Sequence, residues 1–218
     1  MSMESPDGAD AVDSRSRQKR VGDAQRQDTR MRLLAAAERE FGARGYSATS
    51  VSQLAAGAGV SVQTLYLAWG SKRGLLRGYL ENALAGGAGS PEDAPARFVG
   101  LAPRERLATL AQLVSEIADR AALGWQLYRD AAAVDPEIAA DWDELQLLRH
   151  RLISRILAEL PANALRTGLT PASAADTAWA ITSPESHELL VRRLGYDSAR
   201  FRDWMERTLV AALLAPER

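Results

Sequence analysis

The chain has no cysteine in its 218 residues, which excludes a disulfide framework, a thiolate nucleophile and thiolate metal ligation. Its two histidines, His150 and His187, fall on different predicted helices with no carboxylate obviously paired to either, so no metal site is expected. Formal net charge is −1, so no bulk field draws the protein to nucleic acid or to a membrane, and any such signal must be local. No apolar run approaches the ~20 residues that span a bilayer. The acidic, polar N-terminus lacks the apolar core of a signal peptide, and a cytoplasmic protein with no membrane partner is expected. A Gly-rich phosphate loop, a nucleophile elbow and a metal-ligand cluster are all missing, so neither an enzyme nor a cofactor is expected. Almost no stretch alternates with period two, which removes the signal for strands.

What is present is helical. Residues 1–27 carry Ser, Asp, Gln and Arg without apolar periodicity and read as a flexible arm. Its charge is uneven: from Arg15 to Arg32 there are seven basic residues against two acidic ones, a local net of +5. The arm is either a solvated tail or a phosphate-seeking segment. From Asp28 or Thr29 the apolar spacing of Met31, Leu34, Ala35 and Phe41 predicts a helix stopped at Gly45. Thr49 or Ser50 caps a second, "VSQLAAGA", ended by Gly59 in a left-handed conformation. Ser61 caps a third, "VQTLYLAW", and Ser71 a fourth, "KRGLLRGYLENALA".

A helix, a tight Gly-containing turn and a second helix make a helix-turn-helix, whose second helix enters the major groove. Its first turn here is Val62, Gln63 and Thr64. Gln63 can bond an adenine edge in bidentate fashion, and Val62 or the Thr64 methyl can meet a thymine methyl. Leu65 pins the helix to its neighbour and Trp69 is expected to be mostly core. Tyr66 can reach a phosphate with its hydroxyl. Lys72, at the amide-rich start of the fourth helix, offers charge to another. Taken singly, Thr64, Tyr66 and Trp69 are equally at home on an ordinary surface or in an ordinary core.

In order and spacing, however, "RLLAAAEREFGARGYSATSVSQLAAGAGVSVQTLYLAWGSKRGLL", Arg32 to Leu76, resembles the DNA-binding domain of TetR-family transcriptional regulators. The pieces are the Ala-Ala and Phe41 of the first helix, "RGY-x-x-T", "LA-x-x-AGVS", "TLY" and "SK-x-x-LL". The resemblance implies base or phosphate contacts by Gln63 and Thr64, and phosphate contacts by Tyr66, Lys72, Thr49 and Ser61. Ala68 stands where Tyr or His is frequent, and Gln63 where Gly is common.

The expected fold is all-α: the arm, a helix-turn-helix domain over residues 28–72, and a helical regulatory domain over 73–218. In the last of these, Pro103 opens a helix with Leu107, Leu110, Leu113, Val114 and Ile117 on one side. Asp135-Pro136-Glu137 starts another, with Leu145, Leu148, Leu152, Ile156 and Leu160 as its stripe. Thr170-Pro171 and Ser183-Pro184 repeat the cap-proline device. The last two predicted helices carry broad apolar faces (Ala178, Ile181, Leu189, Leu190, Leu194; Phe201, Trp204, Met205, Leu209, Leu213) that one body would struggle to cover. The resemblance implies that they pair with their two-fold mates in a homodimer. It also implies an effector cavity, for which Trp125, Tyr128, Trp142, His150 and Trp179 are the candidate lining, though ordinary core packing accounts for each equally well. Such a lining suits a largely apolar or aromatic small molecule. The functional expectation is a repressor that binds a palindromic operator on double-stranded DNA as a dimer and is released by that effector. A DNA-binding protein with no ligand fits the sequence too.

Overall fold

The computed structural model of the chain describes residues 7–86 and 91–216, the side chains of residues 7–19 and 91–94 excepted. It divides into two compact units, Met1–Tyr79 and Leu80–Arg218. The division falls at Tyr79, within the fourth helix, where the sequence reading puts it at Lys72. Every extended element among the described residues is a helix, and the one β feature is an isolated bridge between Leu165 and Leu214.

In the first unit, α1 (Asp7–Ala48) is interrupted near its end by Gly45, whose φ of 76° is open to glycine and strained for other residues. The expected arm is corrected here: residues 7–27 are helical, and residues 1–6 lie outside the described part. The stretch holds no proline and is rich in Ala, Arg and Gln, so nothing in it breaks a helix that the following core has nucleated. Ion pairs Arg26–Asp23 and Arg32–Asp28 run along it.

The buried face of α1 is Leu33, Leu34, Ala36, Ala37 and Phe41. Met31 and Ala35, expected inside, are exposed. On this buried side Gly57 lies against Ala36, where a Cβ on Gly57 would meet the Ala36 methyl at 3.5 Å, an ordinary van der Waals distance.

Three short helices, α2 (Val51–Gly57), α3 (Val62–Trp69) and α4 (Lys72–Ala85), follow. Helices as short as α2 and α3 do not persist alone, and here each is closed at both ends. Ser50 and Gln53 form a reciprocal capping box on α2. Ser61 Oγ accepts from Thr64 N at 3.1 Å, and Ser71 Oγ from Gly74 N at 2.9 Å. The C-terminal carbonyls go to arginines of α1: Arg39 donates to Gly57 O (2.8 Å), Arg32 to Ala58 O (3.4 Å) and Arg30 to Ala68 O (2.6 Å). A cation at that end also meets the negative pole of the helix dipole. Leu65 is fully buried, and the Trp69 ring lies against α4, where Gly78 leaves the room it needs.

In the second unit, a short 3-10 segment (Pro91–Phe98) leads into α5 (Pro103–Ala132), then α6 (Pro136–Leu157), α7 (Pro171–Ile181), α8 (Pro184–His187) and α9 (Ser198–Leu213). The helix opened by Pro103 runs on through Gly124 as one continuous α5. The cap-proline device read at Ser183-Pro184 is present: Ser183 caps α8 and Pro184 takes its first turn, so the apolar stretch from Ala172 to Leu194 is broken at Thr182–Ser183, and a π turn over Glu188–Arg193 follows. Phe201, Met205, Leu209 and Leu213, four apart on α9, form the buried stripe of that helix. Arg106 is buried and joins α5 to the end of α6, donating to Ile156 O at 2.8 Å and to Glu159 at 2.7 Å. No helix among the described residues is long and apolar enough to cross a membrane.

Candidate nucleic-acid interface and ligand cavity

In the first unit α3 buries one line, Leu65, and turns the opposite face outward. Val62, Gln63, Tyr66 and Leu67 follow the i, i+1, i+4, i+5 spacing of a single helix face, and all four are exposed. Leu67 is 82% exposed, an unusual position for a leucine on an element with its core contact two residues earlier. The sequence reading passed over it, although helical periodicity sets Leu67 beside Gln63 rather than beside Leu65. An α-helix fits the major groove, and this face offers one bidentate amide, one phenol and two aliphatic groups to base edges.

The remaining expected contacts separate into two kinds. Ser61 and Thr64 lie at the start of α3 with their hydroxyls 2.8 Å apart; Ser61 is exposed and Thr64 half-buried. Thr49 is a correction. It is buried, and its hydroxyl turns inward between Gly45 O (2.8 Å) and Glu40 O (3.1 Å), sharing its one proton across the interruption of α1 rather than facing a phosphate. Lys72 carries a structural duty as well: its Nζ donates to Tyr46 O and Thr49 O, both at 2.8 Å, and sits 4.1 Å from the centre of the Tyr46 ring. Among the basic residues counted toward the arm, Arg30 also stacks on Trp69 at 3.8 Å; the side chains of Arg15, Arg17 and Lys19 lie outside the described set.

The second unit holds a cavity of about 360 Å³, walled by the apolar stripes of α5 and α6 together with the end of α4. Leu113, Val114 and Ile117 face Leu145, Leu148 and Leu152 across it, all of them half-buried. Two of the five proposed lining residues, Trp125 and Trp142, are in its wall. The other three are elsewhere. Tyr128 is fully buried and its ring lies 6.3 Å from that of Trp142. His150 meets Asp176 at 2.8 Å, so the absence of a paired carboxylate expected for it is corrected. Trp179 packs edge-on to His150, 5.7 Å between ring centres. Among the described residues no group of three or more His, Cys, Asp and Glu could hold a metal ion.

The polar part of the wall was not foreseen. Arg97, Glu116, Arg120, Gln146, Arg149 and Thr182 contribute to it. Arg149 donates through Nη1 to Trp179 O (3.0 Å), Thr182 O and Thr182 Oγ1 (both 3.3 Å), and through Nε to Gln146 (3.2 Å). Burial pushes its guanidinium down to about 10, against the opposing pull of Glu185. The signal for it was in the sequence: Arg149 follows Leu145 by four and precedes Leu152 by three, placing a charge on the apolar stripe itself.

Residues 33–79 match the family model described as bacterial regulatory proteins, tetR family. The comparison with curated proteins found no match. Solved structures with the same fold include NalD, the secondary repressor of the MexAB-OprM multidrug efflux pump in Pseudomonas aeruginosa. It is 19% identical, with a TM-score of 0.68 over 87% of this chain and 98% of that one. FadR from Bacillus subtilis in complex with stearoyl-CoA is also 19% identical, with a TM-score of 0.62 over 83% and 97%. The fatty acid degradation regulator FadR from Bacillus halodurans is 18% identical, with a TM-score of 0.65 over 83% and 94%.

Proposed function

We propose, from the match of residues 33–79 to the tetR family model, that this chain is a TetR-family transcriptional regulator with a DNA-binding N-terminal domain and that it is a repressor: it binds a palindromic operator as a homodimer and leaves it when a small apolar molecule occupies the cavity. The observation that carries the DNA reading is the outward face of α3. Val62, Gln63, Tyr66 and Leu67 are presented to solvent on a helix otherwise closed by caps and anchored by Leu65. Ser61, Thr64 and Tyr66 supply hydroxyls for phosphates and bases at its margins, and Lys72 adds its charge beside the phosphate backbone.

A homodimer brings two such helices to successive major grooves about one DNA turn apart, which makes the operator a palindrome. The apolar side chains left outside by the second unit support the pairing: Leu189 and Leu194 are 56% and 66% exposed near α9. The effector reading rests on the cavity, whose size and walls are those of a small-molecule site. A fold neighbour holding stearoyl-CoA is consistent with an apolar occupant. The end of α4 contributes Leu84 and Ala85 to the cavity wall. A ligand there presses on the same helix that begins at Lys72, and a preference of ~1–3 kcal/mol for the non-binding state is enough to release DNA.

The test is selection of genomic fragments by the purified full chain, followed by band-shift on the recovered site. A palindrome bound by two chains is expected, and selection without a symmetric site removes the reading. Within a recovered site, Gln63→Ala should relax preference at one base pair per half-site at a cost of ~1–3 kcal/mol. Equal weakening on every operator variant would move Gln63 to the phosphate backbone.

A further inference from the structure

We propose that the cavity of the second unit takes an organic acid, a molecule with an apolar body and a single carboxylate that is bound by the guanidinium of Arg149. This rests on the reading above that the cavity is the effector site.

The argument is one of matching charges. Three arginines and one glutamate lie in the wall. Arg97, Glu116 and Arg120 are exposed, so water already solvates them, and Arg120 Nε is engaged by Ala83 O at 3.2 Å. Arg149 differs. Its Nη1 and Nε are used on the C-terminal carbonyls of α7, the Thr182 hydroxyl and Gln146, which is a sound structural duty. Its Nη2 has no acceptor among the described residues, and the guanidinium has no carboxylate within ion-pair distance.

The acid closest in influence, Glu185, is turned to Arg129 at 3.8 Å instead. Burial lowers the pKa of Arg149 to about 10 and still leaves it charged at neutral pH. Arg149 is half-buried, lies 5.1 Å from the centre of the Trp179 ring and keeps Nη2 open to solvent. A carboxylate that displaces that solvent gains a charge-assisted hydrogen bond in a partly dry site, which a neutral molecule of the same shape gains only weakly. Trp125, Trp142 and the leucines of α5 and α6 take the rest of the molecule. A volume of 360 Å³ suits roughly a dozen non-hydrogen atoms at the ~30 Å³ each that water occupies in the liquid.

The probes are decanoate and its neutral amide, titrated against the full chain at neutral pH by calorimetry and by quenching of tryptophan fluorescence. Decanoate is expected to bind at least tenfold more tightly, the gain of a charge-assisted hydrogen bond in a partly dry site. In Arg149→Met that preference for the acid over the amide should vanish, and Arg149→Lys should restore part of it. Arg149 also holds the end of α7, so the wild-type pair is read by itself if R149M fails to fold. Equal affinities for acid and amide overturn the acid assignment and leave the effector cavity standing. If neither probe binds a protein that still shifts its operator, the effector reading falls together with it.

Discussion

The two units handle apolar side chains in opposite ways. On α3 the chain holds Val62, Tyr66 and Leu67 out to solvent beside Gln63, on a helix fixed rigidly by caps and arginines. On α5 and α6 it folds Leu113, Val114, Ile117, Leu145, Leu148 and Leu152 around unfilled space. A convex apolar-polar face suits a large, preformed partner such as a DNA groove; a concave apolar one suits a small molecule that it can surround. The first arrangement requires stiffness, since a reading helix that tilts loses its register. The second requires a wall that can move, since a ligand must enter it.

The sharpest way to break the comparison is to attack the stiffness of α3. A Cβ at Gly78 would land within the ring of Trp69, and one at Gly74 would meet the Trp69 carbonyl oxygen. Gly78→Val should therefore displace Trp69 and destabilise the first unit by about 3 kcal/mol or more, with loss of operator binding. Thermal unfolding and band-shift together check it. A variant that unfolds as wild type would mean that Trp69 has another place to go, and that α3 is not held as tightly as its surroundings indicate.

Next in size is Lys72→Met. Two charge-assisted hydrogen bonds to Tyr46 O and Thr49 O are lost, and stability should fall by about 2 kcal/mol. A residue serving DNA alone would leave the unfolding midpoint unchanged and only reduce the salt slope of binding by about one.

These two cases also show what the sequence made legible. The caps Ser50, Ser61 and Ser71, the turn glycines and the helix-turn-helix order could be read directly, because each depends on chemistry within a few residues. The phase of α1 could not, since Ala35 and Ala36 are alike in sequence and only tertiary packing tells which goes inside. Thr49 reads as a phosphate ligand, and the structural duty of Lys72 stays hidden, because their carbonyl partners are backbone groups that any residue would supply. In the second unit the stripes of α5 and α6 are legible as apolar faces but their cavity is not, as periodicity marks a face as apolar without saying what fills the space before it. Trp125 and Trp142 stand out because large aromatics are conspicuous, and both lie in the cavity wall. Arg149 was missed although its place on the stripe was visible.

The unfilled space gives the third prediction. Leu148→Phe adds volume to the wall of the cavity rather than to a filled core. It should leave stability unchanged or raise it by about 1 kcal/mol, as cavity-filling substitutions do, while weakening the effector. A loss of more than about 1 kcal/mol in chemical denaturation would show that Leu148 is packed as tightly as Leu107, which is fully buried and outside the cavity wall.

The smallest effect on the fold, and the most pointed, belongs to Leu67→Ser. Leu65 is fully buried and Leu67 is 82% exposed on the same helix. Removing the Leu67 side chain takes no apolar area out of the core, so stability should stay within ~0.5 kcal/mol of wild type. Operator affinity should nevertheless drop, by about 1 kcal/mol or roughly fivefold, because apolar contact with base methyls or sugar in the groove is lost. Affinity unchanged alongside unchanged stability would mean that Leu67 points past the groove. The reading face would then shrink to Val62, Gln63 and Tyr66, and the exposed leucine would have to be explained by something other than DNA.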